Sequence, residues 1–368
     1  MSHSRLLSRP SRSLPVEPEG AVRRLGAMSI ALPLTDMTLA LALSGGNALG
    51  AYQAGAYQAL HEAGLEPAFL SGASVGAING ALIAGNAREE RLARLRAFWQ
   101  PATADAAADG PLDSWRRSAA VAWSIAAGRP QLFHPRGLLG TPDLPSLFDS
   151  RPLRDTLLHL ADFDRLNAGP MRYVASAVDL ETGDDVLLDS AETRITPDHV
   201  RASGALLPAF QPVEIEGRLL GDAGLSANLP IDAVLTRGTG ERPLLLVAID
   251  LLPLSAPRPA TLGNVVERMQ DLSFATQGRR ALEAWQTIFD LKERAGDPLP
   301  SVTLLHVLYT DQRREVAGKS MDFSPASVRE RWQTGARDMR EGLARIASGA
   351  VPLGAPGLAV HRVELVGK

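Results

Sequence analysis

Short, nearly uncharged apolar runs alternate with turns of small residues along this chain, and their rhythm predicts its elements. Met37-Thr38-Leu39-Ala40-Leu41-Ala42-Leu43 is apolar on both faces, as a strand buried between two layers is. Ser44 to Gly50 is a glycine-rich turn, and Ala51 to Ala63 reads as a helix stopped by Gly64. Pro67 leads into a second buried strand that ends at Ser74. Helices follow, one from there to about Ala84 and one from Glu89 to Trp99. Strand, glycine turn, helix, strand, glycine turn, helix predicts a βαβα unit with a parallel sheet and a right-handed crossover.

The pattern loosens from Pro101 to about Ser150, where Ala-rich runs, Asp109-Gly110-Pro111, Trp115 and Trp123 suggest helices with irregular joints. That segment reads equally well as a lid over a site or as packing on the sheet. Arg172 to Asp179 is a core strand, and Glu181-Thr182-Gly183-Asp184 turns it into a hairpin with Val186 to Asp189. A short helix from His199 to Ala205 ends before Pro208. A second hairpin, Val213 to Leu220, delivers Gly221-Asp222-Ala223-Gly224, and Leu244 to Leu252 is a buried strand. Leu262 to Ala295 is a long helix, with Val266, Met269, Leu272, Leu282 and Ile288 at mostly helical spacing as its apolar side. Val302 to Tyr309 is a last strand, and Ser324-Pro325 caps a helix reaching about Ile346. No repeat or linker divides the chain, so one domain is expected, spanning 37–310, with 311–368 as a helical extension packed on it.

The 45% hydrophobic content over 368 residues supports a sizeable α/β core. A net charge of −3 gives no reason to expect nucleic acid. The absence of Cys excludes disulfides and thiolate metal sites, and the seven His show no His-x-x-x-His or His-Glu-x-x-His spacing, so no metal or other cofactor is expected. Met37 to Leu60 and Pro67 to Ala87 carry no formal charge and are long enough to span a bilayer. The first is broken by Ser44-Gly45-Gly46-Asn47 and holds Gln53 and Gln58, and the second holds Asn79 and several glycines. Each reads as strand, turn and helix. Residues 1–36 are rich in Arg, Ser and Pro without a sustained apolar run, which predicts a disordered leader and no secretory signal; Met28 and Met37 are alternative starts. A cytoplasmic location, with contact at a membrane surface left open, is the expectation; oligomeric state is not legible.

Chemistry concentrates in the two glycine turns. Gly72-Ala73-Ser74-Val75-Gly76 fits a tight strand-to-helix turn that exposes a serine hydroxyl at a helix N-terminus. A small-residue helix packed closely on a sheet would look similar. Gly45-Gly46-Asn47 exposes consecutive backbone N–H groups and could hold an oxyanion. A nucleotide-phosphate loop is the rival, but neither a Gly-Lys-Ser/Thr ending nor Gly-x-Gly-x-x-Gly is present. A base for Ser74 is harder to choose. Chain order points to His306, which lies inside the apolar run Leu304 to Leu308 and reads as a core histidine; His199 has no supporting motif. A carboxylate in a dry pocket would serve, since burial raises its pKa. On spacing alone Asp222, Asp179, Asp189 and Asp250 are not separable.

Four blocks, taken together, are more specific than any of these motifs. They are Leu43-Ser44-Gly45-Gly46-Asn47-Ala48-Leu49-Gly50-Ala51-Tyr52-Gln53-Ala54-Gly55, then Gly72-Ala73-Ser74-Val75-Gly76, then Ala202-Ser203-Gly204-Ala205-Leu206-Leu207-Pro208-Ala209-Phe210, then Asp222-Ala223-Gly224-Leu225-Ser226-Ala227-Asn228-Leu229-Pro230. In this order, over Leu39 to about Leu235, they resemble the bacterial patatin-like phospholipases. The resemblance implies a three-layer α/β/α sandwich around a mostly parallel sheet, related to the α/β hydrolases. It implies a Ser74–Asp222 dyad, an oxyanion hole at Gly45, Gly46 and Asn47, no cofactor, and a lipid or other ester as substrate. The chain departs from the family pattern at Asn47 and Leu49, where Gly and a basic residue are usual, and at Ala223. Losing the basic residue weakens the case for phospholipid and leaves another ester, or a thioester, as the alternative; a catalytically silent binding protein is the remaining one.

Overall fold

The computed structural model describes residues 36–99, 112–136 and 146–364. The expected leader, apart from Asp36, lies outside the described residues, as do 101–111 and 137–145 of the segment read as a lid or as packing. The strands are β1 (Thr38–Leu43), β2 (Phe69–Ala73), β3 (His134–Pro135), β4 (Phe148–Asp149), β5 (Arg172–Asp179), β6 (Asp185–Asp189), β7 (Val213–Ile215), β8 (Arg218–Asp222), β9 (Leu244–Asp250), β10 (Ser301–Leu308) and β11 (Gly357–Val363). The helices are α1 (Ala51–Glu62), α2 (Val75–Ala84), α3 (Arg88–Trp99), α4 (Asp113–Ala127), α5 (Arg151–Leu160), α6 (Phe163–Ala168), α7 (Pro197–Ser203), α8 (Ile231–Arg237), α9 (Leu262–Ala295) and α10 (Pro325–Ala347).

A nine-stranded sheet runs through the middle, with β11-β10-β9-β1-β2-β5 parallel and β6, β7 and β8 antiparallel to their neighbours. Strand β1 shows why the sheet needs helices on both faces. Leu39, Leu41 and Leu43 pack into a core with α1, α2 and α10, while Ala40 and Ala42 pack into a second core with α8 and α9. This is the α/β/α sandwich with a mostly parallel sheet that the sequence leads one to expect.

The register of β5 brings the two halves of the chain together. One edge of β5 carries β6 from Val174 to Val178. The other edge carries β2 until Ala73 pairs with Ser176, and at the next residue, Ala177, it pairs with Asp222 of β8. Strands β2 and β8 therefore meet end to end along one edge, with Ser74 and Asp222 at the junction.

Two expectations need correction. The apolar side of α9 was expected at Val266, Met269, Leu272, Leu282 and Ile288, yet only Leu282 is buried. The inward residues are Asp271, Ala275, Gly278, Leu282 and Phe289, because Gly278 brings the helix close to Leu229 and Asp271 reaches a buried lysine, Lys319. The C-terminal segment is also more than helix: β11 pairs with β10 in parallel and extends the sheet.

Candidate active site

The first piece of the site is a sharp turn at Ser74, which has φ 53° and ψ −121°, a backbone conformation costly for a residue with a side chain. The turn closes only because its neighbours lack side chains. A Cβ on Gly72 would lie 2.4 Å from the Gly76 carbonyl carbon, and one on Gly76 would lie 2.2 Å from the Leu43 carbonyl oxygen. The Ser74 N–H donates to Ser203 Oγ at 3.0 Å, and α2 starts at Val75 with its N-terminus beside the serine.

The second piece is the turn after β1. A Cβ on Gly45 would lie 3.1 Å from Ser74 Cβ and 2.5 Å from Asn228 Oδ1, so this turn sits directly against the serine. Gly45 gives its own N–H to the Asn228 carbonyl at 3.1 Å. The N–H groups of Gly46 and Asn47 have no acceptor among the described residues. Asn47 adopts φ 50°, a conformation asparagine tolerates better than most residues. Its side chain is held by a contact to Met321 Sδ at 3.3 Å.

Asp222 is the third piece. It is 2% exposed, its Oδ1 accepts the Gly224 N–H at 2.7 Å, and its own N–H donates to the Ala205 carbonyl at 3.1 Å. Burial pushes its carboxyl up from 3.8 to about 6, against the opposing pull of the Ser74 hydroxyl and the Gly224 N–H. The other carboxylates considered from sequence lie elsewhere. Asp179 pairs with Arg218, Asp189 with Arg172 and Arg237, and Asp250 lies 3.5 Å from His306 Nε2. His306 is buried in β10, and His199 joins a capping box with Thr196. None of these lines the cavity that holds Ser74 and Asp222.

That cavity has a largely apolar wall, including Ile78, Leu132, Phe133, Phe210, Leu252 and Phe274. Phe133, Phe148 and Phe210 pack edge-on or tilted, at centroid distances of 5.0 to 5.8 Å. Leu132 and Phe133 come from the segment expected to be a lid or packing; of its helix α4, Val121 is buried while Trp115 and Trp123 are exposed. Polar groups enter the wall at Ser150, Arg201, Gln270, Lys319 and Ser320. Ser150 Oγ and Arg201 Nε are buried without a hydrogen-bond partner among the described residues. Such an arrangement can take an apolar group along its wall and a polar group beside Arg201. No cluster of three metal-ligating side chains occurs among the described residues.

Supporting residues that no motif reveals hold these pieces together. Gln277 of α9 accepts the Asn228 N–H at 2.8 Å and donates to the Gly224 carbonyl at 2.9 Å. Arg331 of α10, fully buried, donates to the carbonyls of Ala48, Lys319 and Asp322. Ser203 and Asn228 lie within the sequence blocks quoted above, but their contacts arise only once the turns are folded.

A mostly parallel sheet carries a serine on a strained strand-to-helix turn, beside an apolar cavity and a glycine turn with two N–H groups unpaired among the described residues. The chain belongs to the patatin-like phospholipase family: that family's sequence profile matches residues 41–235, more than half of the chain, and a further profile described as patatin phospholipase matches residues 285–352. Among solved structures, VipD from Legionella pneumophila is similar at 14% identity and a TM-score of 0.42, over 84% of this chain and 67% of that one. No curated protein matches the chain.

Proposed function

We propose that this protein hydrolyses carboxylic esters of lipids, with Ser74 as nucleophile and Asp222 as general base. The observation that carries this reading is the buried Asp222 carboxylate, raised to about 6, at the same strand junction as the strained serine. Asp222 takes the Ser74 proton as Oγ attacks the ester carbonyl. The oxyanion is met by the free N–H groups of Gly46 and Asn47, with Gly45 leaving room for it. The tetrahedral intermediate collapses, the alcohol departs with the proton from Asp222, and a water deprotonated by the same carboxylate releases the acyl group. Leu132 and Phe133 in the cavity wall support reading their segment as a cover over the acyl site. No described helix is long and apolar enough to cross a membrane, and a cytoplasmic enzyme working at a membrane surface is the matching setting.

A second reading keeps the chemistry and changes the substrate to a thioester or a non-phospholipid ester. Leu49, fully buried where the family usually has a basic residue, favours it. The test uses purified protein on a chromogenic short-chain ester, followed by a panel of phospholipids, neutral lipids and thioesters. Ser74→Ala and Asp222→Asn are each expected to lose several orders of magnitude in rate, whereas His306→Gln and His199→Gln keep the chemical step. A histidine variant that is folded but inactive would replace the dyad by a triad.

A further inference from the structure

The N-terminal half of α9 is inverted relative to an ordinary surface helix. Its charged residues turn toward the protein: Glu267 and Asp271 hold the buried Lys319 ammonium at 3.3 and 2.8 Å, and Arg268 donates to the carbonyls of Pro253 and Leu254. Its apolar residues turn outward, with Leu262, Val265, Val266, Met269 and Leu272 exposed by 80, 49, 53, 62 and 40%. Surface helices normally do the reverse, and a contiguous exposed apolar patch marks an interaction site.

This patch adjoins the candidate active site. Gln270 and Phe274, on the same stretch of helix, line the cavity. Phe274 packs at Gly224, and the next residue, Leu225, is exposed. On the other flank Gly263 packs against Ala317, and Gly318 packs against Val121 of α4. Helix α4 then presents Trp115, Trp123 and Ile125 outward. One apolar surface thus runs from α4 past the 317–319 turn to α9, beside the cavity.

We propose that the outward face of α9, together with the exposed tryptophans of α4, docks the protein on a lipid bilayer. This rests on reading the cavity as a lipid-ester site. A bilayer would cover the patch and supply substrate to the cavity in one step, whereas a protein partner seated there would block the way in. Tryptophan has an apolar body and a polar N–H, which suits the boundary between acyl chains and head groups. The inverted helix lies flat on that boundary through its apolar face.

The test is flotation of the full chain with vesicles of phosphatidylcholine containing a minor share of phosphatidylglycerol. Wild type floats with the vesicles. A variant combining Val266→Gln, Met269→Gln and Leu272→Gln loses about tenfold or more in partitioning, as expected for removing several apolar contacts. Glutamine is at least as good a helix former as these residues, so melting temperature and hydrolysis of a soluble ester stay unchanged. Trp115→Gln with Trp123→Gln weakens partitioning as well, and Ser74→Ala floats like wild type. Failure of wild type to float, or flotation of the triple variant like wild type, overturns the proposal. So does a wild-type dimer, measured by light scattering, that the triple variant turns into a monomer, since a second copy would then be the occupant. Flotation lost in the triple variant, in a protein that hydrolyses no ester, would leave the docking surface standing and remove the enzymatic reading alone.

Discussion

At the scale of single residues the candidate site holds instability that its chemistry can use. The Ser74 conformation costs roughly 1–3 kcal/mol, since a side chain stands at positive φ. Asp222 adds a second term. The folded chain keeps its proton up to about 6, whereas an unshifted aspartate loses it near 3.8. Folding therefore takes up a proton between those values, and stability falls as pH rises through that window. At pH 7 the ionised carboxylate is worth about 3 kcal/mol of lost stability. Asp222→Asn is accordingly expected to be inactive yet to melt higher than wild type at pH 7, with the difference gone below about pH 4. Thermal melts across pH would measure it. The same titration predicts an acid limb in kcat/KM near pH 6, with full rate above it, because the base must be ionised. Such a limb resembles that of a histidine. Adding a less polar cosolvent separates the two, moving a carboxylate limb up and an imidazolium limb down.

At the scale of elements, the site depends on how strands and turns are braced from behind. Gln277 ties α9 to both the Asn228 and the Gly224 backbone and so braces the loop after Asp222, whose Asn228 carbonyl accepts the Gly45 N–H. Gln277→Leu leaves one backbone donor and one acceptor without partners, and is expected to cost about 1–3 kcal/mol of stability. Steady-state kinetics should show a lowered kcat with little change in KM, because Gln277 holds the backbone behind the cavity wall and is not itself part of the lining. A KM effect of equal size would give Gln277 a role in binding. The sequence carried the local elements well, since β1, β2, α2 and the hairpins follow from apolar runs and turn residues. It could not carry the orientation of α9. Val266, Met269 and Leu272 have the spacing of a packing face, and the Lys319 pairs with Glu267 and Asp271, with Gly278 packed close to Leu229, turn the opposite side inward. Strand β11 was equally hidden, because Gly357 to Val363 becomes a strand by pairing with β10.

At the scale of the whole molecule, the pairing of distant blocks is what no local pattern shows. Spacing left Asp179, Asp189, Asp222 and Asp250 as equals, and resemblance to a family singled out Asp222. The physical distinction is partnership: the first two are held by arginines, Asp250 sits beside His306, and Asp222 faces a cavity, with the Ser74 hydroxyl and the Gly224 amide as its hydrogen-bond partners among the described residues. Ser203, Gln277 and Arg331 belong to the same category of residue, chemically ordinary in the chain and decisive only when three segments converge.

The end-to-end meeting of β2 and β8 along one edge of β5 also sets a timetable. A ribosome delivers the serine turn early and the aspartate much later, and domains fold as they emerge. Until the second hairpin docks beyond Ala73, the nascent chain has the proposed nucleophile without its proposed proton acceptor. On the proposed dyad, synthesis thus acts as a safety catch: a chain stalled or cut before Asp222 lacks the base that the proposed hydrolysis needs.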